Sequence, residues 1–374
     1  MSYRYDASFI KPGLNTLVQG TPTYLPYLYA WGQGTNGGLG LGNTTNYSSP
    51  KQVGSLSNWA DISSRFNVTF AVKTDGTLWA WGNNNSGQLG LGDTTNRSSP
   101  AQVGALTNWL QVSAASYVGY AIKTDGTLWS WGTNGFGQLG LGNTNNYSSP
   151  KQVGSLTNWS KIAAGSVYCA YAIKTDGTLW FWGYGGNGQS GLGNVNNYLS
   201  PKQVGALTNW LHISGGSYTA FAVKTDGTLW TWGTNTSGQL GLGNTTTYSS
   251  PKQVGALTIW KTGSNWASMG AITTDGRLYT WGPNGSGQLG YNTGGGSTSS
   301  PQQVGSLTNW SLVYMTAHAI AVKTDGTLWS WGNNGQGQLG LGNTIDRSSP
   351  NQVGALTTWL KASNGYSNSF GLLY

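Results

Sequence analysis

The sequence predicts an all-β fold, a closed seven-bladed β-propeller with about 50 residues per blade. Three observations predict it: a hairpin motif that repeats along the chain, a tryptophan that recurs once per period, and termini that carry complementary parts of one repeat. Internal repeats with a period of this length are typical of solenoids and propellers. The motif Lys-Thr-Asp-Gly-Thr-Leu-Trp-x-Trp-Gly occupies residues 73–82, 123–132, 174–183, 224–233 and 323–332, with a variant at 273–282.

Each copy of the motif predicts a β-hairpin. Two runs of β-forming residues flank an Asp-Gly pair, and glycine adopts the positive φ of a tight turn without a Cβ clash. The aspartates therefore have a structural role in the predicted turns. They are Asp75, Asp125, Asp176, Asp226, Asp275 and Asp325.

A further tryptophan that recurs once per period indicates the number of blades. It occurs seven times with spacings of 49 to 51 residues. The strand after each turn carries no charge on either face, so both faces can pack against neighbours, as in a propeller. A solenoid would need polar end caps, which the sequence does not show. The seven period tryptophans are Trp59, Trp109, Trp159, Trp210, Trp260, Trp310 and Trp359.

The two ends of the chain predict how the ring closes. The last period begins at Trp359 and stops at Tyr374, within the position of the Asp-Gly turn. The first recognisable strand, residues 28–32, matches the strand that follows such a turn at 128–132. We therefore expect the N- and C-terminal strands to share the seventh blade, so that residues 27–374 form the propeller and no sheet edge is left open.

Residues 1–26 are predicted to lie outside the ring, as an N-terminal arm. The segment is either a flexible tail or an arm that docks on a partner. It shows no apolar core of a secretory signal, and the chain has no run of about 18 apolar residues that would span a membrane.

The charge pattern argues against nucleic acid as a partner. The net charge is +8, but charged residues make up only 7% of the chain. Most lysines recur once per repeat, which predicts two dilute rings of solvated lysines at strand ends and not a basic patch. One ring comprises Lys73, Lys123, Lys174, Lys224 and Lys323, and the other Lys51, Lys151, Lys202 and Lys252.

The sequence shows no catalytic site, metal site or cofactor motif. The two histidines, His212 and His318, have no visible triad partner, and both are expected to be structural. The single cysteine, Cys169, is expected to be a small buried side chain. No group of histidine, cysteine and carboxylate residues has metal-ligand spacing, so we expect a protein that is not an enzyme.

Differences between the repeats indicate where a partner could bind. The most variable stretch precedes the strand that leads into each Asp-Gly turn, and it carries mostly aromatic residues. Aromatic side chains in loops provide rigid contact area at low entropic cost, although a loosely packed turn is the alternative. The candidate binding residues are Phe66, Tyr117, Tyr168, Tyr218, Trp266, His318 and Tyr366.

The chain resembles the regulator of chromosome condensation repeat family. The shared pattern is an Asp-Gly turn, an aromatic strand ending in Trp-Gly, then Gly-Gln-Leu-Gly-x-Gly and Pro-x-x-Val. The resemblance implies a seven-bladed ring, and the best-studied member exchanges nucleotide on a small GTPase and binds chromatin. Here the uniform periods leave no room for that member's inserted wedge, and only His318 keeps a histidine common in family repeats.

The near-identical repeats and the N-terminal arm look like propellers of this family from tailed phages and large viruses. Our first hypothesis is a virion component, located in the particle, that contacts other virion subunits or a host-surface protein or glycan. The alternatives are a cellular interaction scaffold or small-GTPase regulator, which would be cytoplasmic since no secretory signal is seen, and a secreted lectin-like binder.

Overall fold

Seven four-stranded antiparallel sheets form the protein in a computed structural model that describes residues 26–165 and 168–374. The first strands of successive sheets contact one another around a complete ring, the last sheet closing on the first. The sheets are therefore the blades of a seven-bladed propeller, which confirms the predicted fold class. Apart from the short 3-10 helix Thr35–Gly37, the described residues form strands, turns and loops.

We number the blades 1 to 7 from the blade that begins at Trp59, and the strands of each blade from the channel outward. The first strands are Trp59–Arg65, Trp109–Ala114, Trp159–Ala164, Trp210–Gly215, Trp260–Asn265, Trp310–Met315 and Trp359–Asn364. The second strands are Val68–Lys73, Val118–Lys123, Cys169–Lys174, Thr219–Lys224, Met269–Thr273, His318–Lys323 and Asn368–Leu373.

The outer two strands complete each blade. The third strands of blades 1 to 7 are Leu78–Gly82, Leu128–Gly132, Leu179–Gly183, Leu229–Gly233, Leu278–Pro283, Leu328–Gly332 and Tyr27–Gly32. The fourth strands are Arg97–Gln102, Tyr147–Gln152, Tyr198–Gln203, Tyr248–Gln253, Ser297–Gln303, Arg347–Gln352 and Tyr47–Gln52.

Blade 7 joins the two ends of the chain, as the sequence predicts. Its strand Tyr27–Gly32 pairs along its whole length with Asn368–Leu373, with Tyr27 opposite Leu373 and Gly32 opposite Asn368. Pro26 takes the place of a turn glycine: its carbonyl oxygen accepts from the Trp59 amide at 3.3 Å, as that of Gly76 accepts from Trp109 at 3.0 Å. The predicted arm, residues 1–26, lies outside the described residues except for Pro26, so the boundary between arm and propeller stays a prediction.

Tryptophan holds the blades together. In blade 2 the buried Trp131 donates its Nε1 hydrogen to the Gln88 carbonyl oxygen of blade 1 at 3.0 Å. Gly90 has a φ of +75°, which favours glycine at this position. It lies so close to Trp131 that a Cβ added there would be 2.8 Å from the indole ring. The same contact joins the N-terminal strand of blade 7 to blade 6, where Trp31 donates to the Gln338 carbonyl oxygen at 2.9 Å.

The antiparallel strands give the ring two different faces. Connections from first to second and from third to fourth strands lie on one side, which we call the long-loop face. The Asp-Gly turns and the connections between blades lie on the opposite side, the turn face. Every predicted binding residue except His318 lies within a first-to-second connection, and so belongs to the long-loop face.

Candidate functional site

The turn aspartates fix the hairpins on the turn face. In blade 2, Asp125 Oδ1 accepts from the Thr127 amide at 2.9 Å and from the Thr127 hydroxyl at 2.7 Å. These hydrogen bonds hold the pKa of Asp125 below its usual range. Trp129 Nε1 in turn donates to the Thr127 hydroxyl at 2.9 Å. Asp275 is bound differently, by the Thr273 hydroxyl and by an ion pair with Arg277.

The lysines next to these turns correct one expectation from the sequence. They are not solvated: Lys123 is 6% exposed, and its Nζ lies 4.9 Å from the Trp109 ring and 3.8 Å from the Trp129 ring. Burial lowers the pKa of Lys123, and Asp125 opposes that shift. The lysine stem packs on the tryptophans while the ammonium interacts with their π faces. The same arrangement holds Lys73, Lys174, Lys224 and Lys323.

An aromatic cluster lies over one end of the central channel, on the long-loop face. Phe66 of blade 1 stacks on Tyr366 of blade 7 with ring centroids 5.4 Å apart. Trp266 of blade 5 meets Tyr366 at 4.8 Å and Phe66 at 6.2 Å. Arg65 extends beside them, donating to the Gly215 carbonyl oxygen at 3.4 Å and lying 5.9 Å from the Trp266 ring. Three predicted binding residues therefore meet in one cluster, which we call the mouth cluster.

A second aromatic cluster lies farther out on the same face, between blades 2 and 3. Phe136 contacts Tyr168 at 4.9 Å and Tyr184 at 5.2 Å between ring centroids. Only Tyr168 was among the predicted binding residues. Phe136 and Tyr184 lie in third-to-fourth connections and are the single aromatic residues at their places among the seven copies. Applying the same comparison of copies to these loops would have found them.

The remaining predicted residues have different positions. Tyr117 and Tyr218 are 43% and 40% exposed on the long-loop face. His318 is fully buried and is not part of that face. Its Nε2 lies 2.7 Å from the Ser369 hydroxyl of blade 7, so it bridges two blades. Burial lowers the pKa of His318 to about 3, which keeps the ring neutral at pH 7.

The channel beneath the mouth cluster is polar. Lys361 forms an ion pair with Asp61 across the junction of blades 7 and 1. His212 Nε2 donates to the Gly263 carbonyl oxygen at 2.8 Å, and burial lowers its pKa to about 4. Over residues 26–165 and 168–374, histidine, cysteine, aspartate and glutamate form no group of three that could hold a metal ion. Cys169 is buried, and this raises the pKa of its thiol to about 12, so the thiol is protonated.

The profile of the regulator of chromosome condensation repeat matches residues 27–72, 75–122, 125–172, 176–223, 226–261, 275–319 and 325–372. The chain belongs to the regulator of chromosome condensation repeat family. A second profile of this repeat matches residues 61–88 and 210–239. Each match to the first profile covers most of one sequence period, so the family relationship extends around the whole ring.

Solved structures at 20% sequence identity have the same fold. Prp20p from Saccharomyces cerevisiae, described with its binding to Gsp1p and histones, has a TM-score of 0.83 at 20% identity, covering 94% of this chain and 92% of its own. Human WBSCR16 has a TM-score of 0.84 at 20% identity, and the match covers 93% of this chain and 98% of WBSCR16. The structure of the same yeast protein bound to Kap60 has a TM-score of 0.84 at 20% identity, and the match covers 100% of this chain and 94% of the yeast chain.

Comparison with curated protein sequences finds no significant match. No helix within the described part of the chain is long and apolar enough to cross a membrane.

Proposed function

We propose that this protein is a non-enzymatic interaction scaffold that binds a protein partner with its long-loop face. The observation that carries the proposal is the set of exposed aromatic side chains on that face. Tyr117, Tyr218, Tyr366 and Phe136 are each 38–43% exposed, on loops that a rigid ring holds in place. Aromatic residues of this kind form the centres of protein interfaces, because they bury large areas with few rotatable bonds.

The charge distribution supports a protein partner over a nucleic acid. Five of the repeated lysines are buried between tryptophans on the turn face, and the exposed ones lie on fourth strands at the outer wall. Arg65, the cation of the mouth cluster, is engaged with Gly215 and Trp266. Binding to a phosphate backbone requires several accessible cations on one surface, which the described residues of the long-loop face do not offer.

The solved relatives favour a cellular interaction scaffold over the virion component suggested by the repeat style. The yeast relative is described as binding the protein Gsp1p and histones, which supports proteins as the class of partner. A small-GTPase regulator is the more specific version of this function. If the protein has this function, the purified chain accelerates nucleotide release from a GTPase. Without acceleration, the regulator function is contradicted and only the scaffold function remains.

The test compares two matched sets of surface substitutions. In the first, Tyr117→Ser, Tyr218→Ser and Tyr366→Ser remove exposed aromatic rings from the long-loop face. In the second, half-exposed leucines of the turn face are replaced, as Leu56→Ser, Leu156→Ser and Leu257→Ser. The tagged wild-type chain is purified from its native source, and the affinity of each variant for the co-purifying protein is measured.

We expect the tyrosine variant to bind at least about tenfold more weakly, since loss of one interface aromatic costs on the order of 1–2 kcal/mol. The leucine variant is expected to bind like the wild type. Loss of binding in the leucine variant alone would place the interface on the turn face. Recovery of a glycan as the bound ligand, with no protein, would favour the lectin-like alternative.

A further inference from the structure

Five of the seven blades hold a lysine ammonium between two tryptophan rings. In each, the last residue of the second strand is a lysine whose Nζ lies 4.8–5.0 Å from the ring of the first-strand tryptophan. The same Nζ lies 3.6–4.3 Å from a tryptophan ring of the third strand. The repeats therefore show which group this pair of rings accepts: a primary ammonium at the end of an alkyl chain.

Blade 7 keeps the pair of rings but not the lysine. In blade 2, Trp109 lies opposite Lys123 of the second strand. In blade 7, Trp359 lies opposite Leu373 instead. Tyr29 provides the second ring, with its centroid 5.8 Å from that of Trp359 and the ring planes at 73°. This is close to blade 2, where the two tryptophan rings are 6.0 Å apart at 80°.

The side chains of blade 7 leave space beside the two rings. Leu373 ends at its δ carbons, whereas a lysine at that position would extend further to its ammonium nitrogen. Tyr29 is also smaller than the tryptophan at its place in blade 2. Trp359 and Tyr29 line a cavity of about 430 Å³ between blades 6 and 7, within the range of about 300–1,000 Å³ typical of small-molecule sites.

The rest of this cavity suits the alkyl chain that carries an ammonium group. Leu341, Val353 and Leu356 line it from blade 6, and none of its lining residues carries a charge. An alkyl chain can pack on these side chains while its ammonium faces the π surfaces, as the buried lysines of the other blades do. Gln352 adds a side-chain carbonyl oxygen that can accept a hydrogen bond from the ammonium.

We propose that the cavity between blades 6 and 7 binds an alkylammonium group, with the cation against Tyr29 and Trp359. The chemistry is that of a lysine side chain. Another molecule can supply it, or Lys11 of this chain can supply it from the segment that precedes Pro26. The site does not involve the exposed tyrosines of the long-loop face, so this proposal and the proposed function can fail independently.

The test uses butylammonium chloride as the probe, because it has the alkyl chain and the ammonium group of a lysine side chain. The full chain is labelled with fluorotryptophan, and the fluorine NMR resonance of Trp359 is assigned with Trp359→Phe. We expect a saturable shift of this resonance with butylammonium, and none with butanol or potassium chloride at equal concentration. No saturable shift, or an equal response to butanol, would overturn the proposal.

Two variants exchange the lysine between blades. Leu373→Lys gives blade 7 the side chain that fills the site in blade 2. We expect it to weaken butylammonium binding at least about tenfold without lowering the melting temperature. Lys123→Leu empties the site of blade 2 and is expected to create a second saturable site, whereas Lys151→Leu on the exposed outer wall should create none. A folded Leu373→Lys variant that binds like the wild type, or a Lys123→Leu variant with no second site, would contradict the proposal.

Lys11→Gln distinguishes the two sources of the ammonium group. Tighter butylammonium binding by this variant than by the wild type would assign the site to the chain's own lysine, which then competes with the probe. Equal affinity would assign it to an alkylammonium group of a separate molecule.

Discussion

Deleting residues 359–374 removes the first two strands of blade 7 and leaves the ring open. The lost segment contains Trp359 and Phe370, both buried, together with the buried Leu372 and Leu373. A buried aromatic residue removes about 150–250 Å² from water, worth roughly 4–6 kcal/mol at about 25 cal/mol per Å². The two aromatic residues alone thus approach the 5–15 kcal/mol that stabilises a whole domain. We expect the truncated chain to be unfolded or aggregated.

A circular permutant separates ring closure from simple loss of mass. It joins Tyr374 through one added aspartate to residue 26, carries Pro26→Gly to complete the turn, and opens the chain between Asp125 and Gly126. Blade 7 then becomes an ordinary hairpin and blade 2 becomes the shared blade. We expect its melting temperature, measured by circular dichroism, to lie within a few degrees of the wild type. A truncated chain that melts like the wild type, or a permutant that fails to fold, would refute the shared-blade account.

Two further predictions concern buried ionisable side chains. The pKa of His318 in the folded protein is about 3, below the ordinary value of 6.5. The contribution of the neutral imidazole to stability is therefore complete above about pH 6.5. It falls by up to about 1.4 kcal/mol per pH unit as the pH drops towards 3, because the unfolded chain takes up the proton first. Urea unfolding at pH 7 and pH 5 should show this loss, and His318→Gln should reduce the pH dependence; an unchanged dependence would contradict the assignment. Lys123→Met should destabilise the fold by about 1 kcal/mol, because the ammonium loses its contacts with two tryptophan rings, whereas Lys151→Met at the exposed wall should not. Equal melting temperatures of the two methionine variants would show that the cation–π contacts contribute nothing measurable.

The architecture could be predicted from the sequence because the same strand and turn signals recur in the repeats along the chain. The Asp-Gly turns, the period tryptophans and the match between 28–32 and 128–132 together determine strand pairing, blade number and closure. The positions of the lysines were also evident, but not their burial. Lys123 is adjacent in space to Trp109 because the first and second strands pair, and the pattern of charges along the chain does not reveal that contact.

The candidate site was predictable only in part. Comparing the copies identified the long-loop face, but it could not show that Phe66, Trp266 and Tyr366 meet over the channel, since they come from three separate blades. It also included His318, whose side chain turns towards Ser369 at a blade junction.

The most direct test of the account is a footprint of the partner on the ring. Hydrogen–deuterium exchange is measured for the purified chain alone and in complex with its co-purifying protein. We predict slower exchange in the loops of the long-loop face around residues 65–68, 115–118, 133–138 and 365–368, with no change at the Asp-Gly turns. Protection confined to the turn face or to the outer wall would contradict the proposal that the exposed aromatic residues hold the partner.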